Sequence, residues 1–146
     1  KGKGAVSIRD LLHSSLRMRP DRIIVGECRG GEALDLLQAM NTGHGGSMST
    51  VHANSPVESL RRLETLALFS GEEIPLRFLR AQVASAINIV VQLQRLAGKR
   101  TVATIAEVLP LSEDGEYRVQ DIYQFDYNSE QLTRCAQANF ETVAGH

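Results

Sequence analysis

A short apolar run that ends in a carboxylate could deliver an anion to a binding site. The successive residues Ile23, Ile24 and Val25 precede Gly26 and Glu27. Such a run is typical of a strand buried on both faces of a parallel sheet, and α/β folds bind ligands at the carboxyl edge of that sheet. In a nucleotide site, a carboxylate there can hold Mg²⁺ through its water shell or orient an attacking water. A solvated loop carboxylate is the alternative interpretation of Glu27.

Two adjacent glycines follow this carboxylate and suggest an anion-binding turn. Gly30 and Gly31 let the backbone approach another group closely and expose amides at a helix N-terminus, and Arg29 adds a positive charge. The same residues also fit a tight turn in which Arg29 only pairs with Glu27 or Glu32. The residues alone leave both interpretations open.

Residues 43–54 combine glycines with two histidines, His44 and His52. Imidazole groups can hydrogen-bond a phosphate oxygen, and glycines such as Gly43 and Gly46 permit close approach. The separation of the two histidines fits no zinc pattern. For His52, the alternative is a strand residue whose hydrogen bonds are satisfied within the fold.

Other chemistries have less support. A hydrolytic triad of Ser47 or Ser49 with His52 and Asp35 can be drawn, but no nucleophile elbow surrounds either serine. The two cysteines lie far apart, which argues against a disulfide framework. Aromatic residues make up 5% of the chain and the net charge is −1, so we expect no stable nucleic-acid binding.

The length and composition predict a single domain. The chain has 146 residues, of which 42% are hydrophobic, enough for one core. No stretch approaches the roughly 20 apolar residues that cross a bilayer, and the start lacks both an initiator Met and a signal peptide. We therefore expect a cytoplasmic domain cut from a longer chain. Residues 1–109 are net basic and residues 110–146 net acidic. This uneven charge weakly favours an anion-binding site within residues 1–109.

Helix and strand signals alternate along most of the chain. Ser7 and Asp10 form a capping-box pattern, and Ser55 with Pro56 and Glu58 is a second helix start. Helices are predicted over 8–18, 33–40, 56–70 and 75–86, and strands over 22–26, 48–52, 87–93, 101–109 and 117–123. This order predicts an α/β fold: a mostly parallel sheet flanked by helices, with an antiparallel β meander at its C-terminal edge. The domain would span residues 1–125, followed by a poorly patterned tail over 126–146.

Two motifs in this order resemble the type II/type IV secretion ATPases, most closely the branch that powers tight-adherence pilus assembly and conjugation-type secretion. The segment from Ser7 to Ala33 is similar to the Walker B region of that family. The segment from Thr42 to Asn54 is similar to its His box. The resemblance covers about residues 1–110, and the tail from about Gln124 does not share it.

The resemblance implies the C-terminal portion of a RecA-like P-loop NTPase core. Such a core would belong to a homohexamer at the cytoplasmic face of the inner membrane, held there by a platform protein of the secretion or pilus machinery. Its substrate would be ATP with Mg²⁺, and hydrolysis would drive pilus assembly or protein secretion. The alternatives are a non-catalytic module for ring assembly and a RecA-like nucleic-acid translocase.

By position, the resemblance assigns roles to individual residues. Glu27 corresponds to the Walker B carboxylate that serves Mg²⁺ and the attacking water, and His52 to the His-box histidine that reaches towards the γ-phosphate. Six further residues would line the nucleotide site or a subunit interface: Arg17, Arg19, Arg29, Gly43, His44 and Gly46. The phosphate-binding loop, Gly-x-x-x-x-Gly-Lys-Ser/Thr, does not occur in the sequence. The family order places it, with an acidic box that supplies a further catalytic carboxylate, before Lys1. We therefore expect these 146 residues alone to bind ATP weakly or not at all and to be inactive.

Overall fold

The computed structural model describes residues 4–139, which form four helices and six strands in two sheets. The helices are α1 (Ile8–Leu16), α2 (Glu32–Asn41), α3 (Pro56–Leu68) and α4 (Leu76–Ala86). The strands are β1 (Ile24–Val25), β2 (Met48–Ser49), β3 (Ile89–Leu96), β4 (Lys99–Leu109), β5 (Arg118–Asp126) and β6 (Gln131–Arg134). The predicted α/β class is confirmed. None of the helices in this part of the chain is long and apolar enough to cross a membrane.

Both predicted helix starts are confirmed by their capping hydrogen bonds. The Ser7 hydroxyl accepts a hydrogen bond from the Asp10 amide at 3.1 Å, and the Asp10 carboxylate accepts one from the Ser7 amide at 2.9 Å. The Ser55 hydroxyl accepts from the Glu58 amide at 3.3 Å, and Pro56 is the first residue of α3. These bonds satisfy amides that the first turn of a helix otherwise leaves unpaired.

The parallel pairing is confirmed, but burial on both faces is wrong for the first strand. β1 and β2 pair in parallel, with Ile24 opposite Met48 and Val25 opposite Ser49. The Ile24 side chain is 70% exposed, because within residues 4–139 the strand β1 pairs only with β2. Its other edge and one of its faces are therefore uncovered in this part of the chain.

The antiparallel sheet is the larger of the two and has the order β3-β4-β5-β6. Its last strand, β6, lies within the segment that the sequence indicates to be poorly patterned. All four residues of β6 are exposed, so the strand carries no alternation of buried and exposed positions that the sequence could reveal. The domain boundary at residue 126 stays a prediction, and residues 140–146 of the predicted tail lie outside the described residues.

The core lies between the helices and the inner face of the antiparallel sheet. Its largest fully buried side chains come from α2, α3 and α4: Leu34, Leu36, Leu37, Leu60, Leu66, Leu79 and Val83. A polar cluster closes one side, where Glu64 accepts hydrogen bonds from Tyr117 Oη at 2.9 Å and from Arg80 Nε at 3.1 Å. Burial and the neighbouring Glu64 carboxylate raise the pKa of the Tyr117 hydroxyl, which stays a donor. The cluster ties α3 and α4 to the start of β5.

Candidate active site

The carboxyl ends of β1 and β2 bring a carboxylate and a histidine together. Glu27 Oε1 lies 3.1 Å from His52 Nε2, and Glu27 Oε2 accepts a hydrogen bond from Arg29 Nη2 at 2.6 Å. The His52 side chain is 90% exposed, while that of Glu27 is 25% exposed. This edge of the parallel pair therefore presents an accessible imidazole beside an oriented carboxylate.

Backbone pairing continues beyond both short strands and fixes this arrangement. The Cys28 amide donates to the Thr50 carbonyl at 2.9 Å, and Thr50 Oγ1 donates to the Gly26 carbonyl at 2.6 Å. Cys28 Sγ lies 3.3 Å from Ser49 Oγ. The two chain segments thus leave the sheet side by side, and their next side chains face the same space.

Two further contacts hold the segment that follows His52. The Asn54 amide donates to Glu58 Oε2 at 3.2 Å, and Gln92 Nε2 donates to the Ala53 carbonyl at 3.0 Å. The sequence does not single out Gln92, because Gln94 follows two residues later and nothing in the local pattern distinguishes the two. A polar residue among apolar ones on a predicted strand is the only signal it carries.

The surroundings of Glu27 keep its carboxylate ionised. The hydrogen bond and charge of Arg29 lower the pKa of Glu27, and His52 adds a smaller effect in the same direction. Partial desolvation opposes these effects without overcoming them. An ionised carboxylate is the form that binds Mg²⁺ or accepts a proton from water.

Replacing Arg29 by Ala is expected to raise the pKa of Glu27 towards its ordinary value, because Arg29 makes the largest contribution to lowering it. A carboxyl pKa that is depressed in the folded state contributes stability above the unfolded pKa, and that contribution is lost as the pH falls through the folded pKa. The variant should therefore lose less stability on acidification than the unmodified protein.

The pKa of Glu27 can be measured by NMR titration of its side-chain carboxyl carbon. Arg62→Ala is the matched control, because Arg62 is exposed and its side chain makes no ion pair or hydrogen bond within residues 4–139. An unchanged Glu27 pKa in Arg29→Ala would contradict the assignment.

The glycine turn beyond Glu27 is occupied by the protein itself. Glu32 Oε1 accepts hydrogen bonds from the amides of Arg29 and Gly30 at 2.8 and 3.0 Å. Arg29 pairs with Glu27, as the tight-turn interpretation expects, and anion binding by this turn stays a prediction. Gly31 serves packing, since a Cβ on it would lie 2.6 Å from the Cα of Ser70.

The glycines and the histidine before β2 lie at the opposite edge of the parallel pair. Residues 43–46 precede β2, whereas His52 follows it, and parallel strands share their amino and carboxyl edges. Gly43 and Gly46 adopt φ values of +98° and +77°, which favour glycine. Ser47 Oγ donates to the His44 carbonyl at 2.7 Å. This segment is a tight turn that the structure does not bring to Glu27.

Arg17 and Arg19 also belong to the opposite edge. They follow α1 and precede the amino end of β1, and both side chains are exposed. Neither side chain makes an ion pair or a hydrogen bond within the part of the chain that is described. Of the eight predicted site residues, the structure gathers three at one edge and five elsewhere. The gathered ones are Glu27, Arg29 and His52; the others are Arg17, Arg19, Gly43, His44 and Gly46.

The serine triad does not form. The buried carboxylate of Asp35 lies 2.8 Å from Arg9 Nε and 2.9 Å from His13 Nε2, so it ties α1 to α2. His52 faces Glu27 instead, and Ser49 contacts Cys28. The candidate chemistry therefore depends on the carboxylate and the imidazole at the carboxyl edge.

Comparison with known proteins shows the family to which the chain belongs. The family model described as "Type II/IV secretion system protein" matches residues 1–145, well beyond the 110 residues over which the resemblance was expected. A putative conjugal transfer protein of Mycobacterium tuberculosis is 44% identical over 123 residues, covering 84% of this chain and 33% of the relative. The type IV secretion system protein PtlH of Bordetella pertussis is 42% identical over 106 residues, covering 71% of this chain and 31% of the relative.

A solved structure shares the fold. The VirB11 ATPase from the Brucella suis type IV secretion system, in complex with sulphate, superposes with a TM-score of 0.66 at 32% identity, covering 70% of this chain and 32% of that one. The chain spans about a third of the length of the relatives it matches. With a carboxylate and a histidine at one sheet edge and a family match over nearly its whole length, the chain belongs to the type II/type IV secretion ATPase family.

Proposed function

We propose that the chain is the C-terminal portion of the motor domain of a subunit that hydrolyses ATP to power pilus assembly or protein secretion across the bacterial envelope. The observation that carries this proposal is the 3.1 Å contact between Glu27 and His52 at the carboxyl edge of the parallel strands. Ligands bind at this edge in open α/β sheets. Membership of a secretion ATPase family supplies the reaction class that suits this pair.

The residues present fit a magnesium ion held largely by water and phosphate. Within residues 4–139, no three side chains of His, Cys, Asp or Glu form a cluster that could hold a metal. Mg²⁺ keeps several waters and commonly takes only one or two carboxylates beside substrate phosphates. Glu27 would hold the ion through its waters, and the bound ion would neutralise charge on the phosphates of ATP.

The protein's own groups then have separate tasks. Glu27 would accept a hydrogen bond from the attacking water or from a water on the ion, because its carboxylate is ionised and oriented by Arg29. His52 donates a hydrogen bond towards the γ-phosphate from an exposed position beside Glu27. The phosphate-binding loop and a further carboxylate would come from a part of the protein outside these 146 residues.

The residues at the opposite edge suit a role in ring contacts. Arg17 and Arg19 are exposed cations at that edge, together with the turn that contains Gly43, His44 and Gly46. We assign these five residues to the boundary with a neighbouring subunit of a homohexamer. The ring would work at the cytoplasmic face of the inner membrane, attached through a platform protein.

Mg²⁺-dependent ATP turnover by the complete protein tests this function. We expect steady-state hydrolysis that disappears when Mg²⁺ is chelated, and no micromolar affinity of residues 1–146 alone for a fluorescent ATP analogue. A complete protein without turnover would support the non-catalytic module for ring assembly instead. Micromolar binding by residues 1–146 alone would contradict the assignment of the phosphate loop to another part of the protein.

A further inference from the structure

We propose that Gln92 is a positioning residue that holds His52 beside Glu27 and connects the antiparallel sheet to the active site. Gln92 Nε2 donates to the carbonyl of Ala53, the residue after His52, at 3.0 Å. A longer second contact, 3.4 Å, joins the same amide nitrogen to the Leu93 carbonyl. The inference rests on the proposed function, because its consequence for catalysis requires a site at this edge.

His52 depends on its backbone for its position. Its side chain is 90% exposed, and Glu27 is the partner recorded for its ring within residues 4–139. Upstream, Thr50 is fixed to Gly26, and downstream the Asn54 amide is held by a side chain of α3. The Ala53 carbonyl and the Asn54 amide belong to the same planar peptide group, so Gln92 and Glu58 hold that group from two sides. Loss of the bond from Gln92 leaves the group with the bond to Glu58 and removes its second restraint, one residue after His52.

The pattern of burial along β3 also sets Gln92 apart. Val91 and Leu93 are 53% and 57% exposed, while Gln92 between them is half-buried. Alternate residues of a strand face opposite sides, so Gln92 shares the inward face of β3 with Val90, while Val91 and Leu93 face outwards. Because a partly buried amide is costly without a hydrogen-bond partner, the inward placement is explained by the contact with Ala53.

A β-bulge occurs at the same place. The register of β3 with β4 changes between Gln92, opposite Thr104, and Leu93, opposite Val102, so that β4 carries Ala103 as an extra residue. Bulges redirect side chains and are frequent next to active sites. Within the described residues β3 is an edge strand, so Gln92 brings the antiparallel sheet into direct hydrogen-bond contact with the His52 segment.

Gln92→Met in the complete protein tests the proposal, because Met preserves the length of the side chain and removes the hydrogen-bond donor. We expect kcat to fall about tenfold and KM for ATP to stay within about twofold of that of the unmodified protein, as for a misplaced catalytic group. In a His52→Ala background, the same substitution should have almost no further effect on kcat. Gln94→Met is the matched control in the same strand and should retain the activity of the unmodified protein.

A second readout does not require turnover. In the nucleotide-free complete protein, we expect Gln92→Met to shift the NMR signals of the His52 ring and to leave those of His13 unchanged. Gln92→Glu, which also removes the donor, replaces Gln92→Met if the latter does not fold. Unchanged His52 signals in Gln92→Met would overturn the inference. So would a double variant in which the tenfold loss of kcat from Gln92→Met multiplies the loss of kcat from His52→Ala. Absence of turnover in the unmodified protein together with shifted His52 signals would refute the proposed function and uphold the positioning role.

Discussion

Replacing Glu27 by Gln in the complete protein is expected to lower kcat for ATP hydrolysis about 1,000-fold and to change the affinity for Mg·ATP by less than about threefold. The substitution keeps the shape of the side chain and removes the negative charge that Arg29 orients at 2.6 Å. Phosphate contacts dominate nucleotide affinity in P-loop enzymes, so binding should survive. Single-turnover hydrolysis and equilibrium nucleotide binding, measured on the same preparation, separate the two effects.

Glu73→Gln is the matched control for this experiment. Glu73 is exposed, and its side chain makes no ion pair or hydrogen bond within residues 4–139. Glu73→Gln should leave both kcat and the affinity for Mg·ATP unchanged. We expect His52→Ala to cause a smaller loss of kcat than Glu27→Gln and to weaken coupling between subunits. If Glu27→Gln abolished binding but left the hydrolysis rate of bound ATP intact, the role assigned to this carboxylate would be wrong.

Gly31→Ala is expected to lower the free energy of unfolding by about 3 kcal/mol, the upper end of the usual cost of overpacking. A Cβ on Gly31 would lie 2.6 Å from Ser70 Cα and 2.7 Å from Ser70 N, so two stretches of backbone would have to separate. The φ of Gly31 is −61°, which alanine adopts without strain. The loss would therefore come from the close approach of the start of α2 to the end of α3.

Gly30→Ala provides the comparison for this stability measurement. Its Cβ would meet only the end of a flexible side chain, Glu32 Oε2, at 3.0 Å. Chemical denaturation followed by circular dichroism should show that Gly30→Ala lowers the free energy of unfolding much less than Gly31→Ala does. Equal losses for the two variants would show that the packing against Ser70 is not the cause.

Local signals in the sequence were sufficient to predict the helices. The capping hydrogen bonds of Ser7 and Ser55 involve residues three positions away, so the chemistry that starts each helix is contained in a few residues. The exposure of Ile24 could not be predicted in this way. An apolar run indicates what a strand is able to bury, whereas its actual burial depends on which elements pack against it.

The site was predicted to the extent that strand direction determines it. The apolar run placed Glu27 at the carboxyl edge of its strand, whereas only the family resemblance assigned His52 to the same site. The structure brings their side chains to 3.1 Å because parallel strands share an edge. The same rule separates the glycine turn from them, since Gly43 precedes its strand. Composition drew attention to that turn without indicating the edge on which it lies. The contact of Gln92 with Ala53 joins residues 39 positions apart and depends on tertiary packing.

The most direct test is a structure of the complete protein with Mg²⁺ and a non-hydrolysable ATP analogue. We expect the ion and the γ-phosphate to lie at the carboxyl edge of β1 and β2, with Glu27 within water-mediated reach of the ion and His52 facing the phosphate. We also expect that Gly43 and Arg19 of the same subunit do not touch the nucleotide. A nucleotide bound to its own subunit's glycine turn, away from Glu27, would contradict this placement.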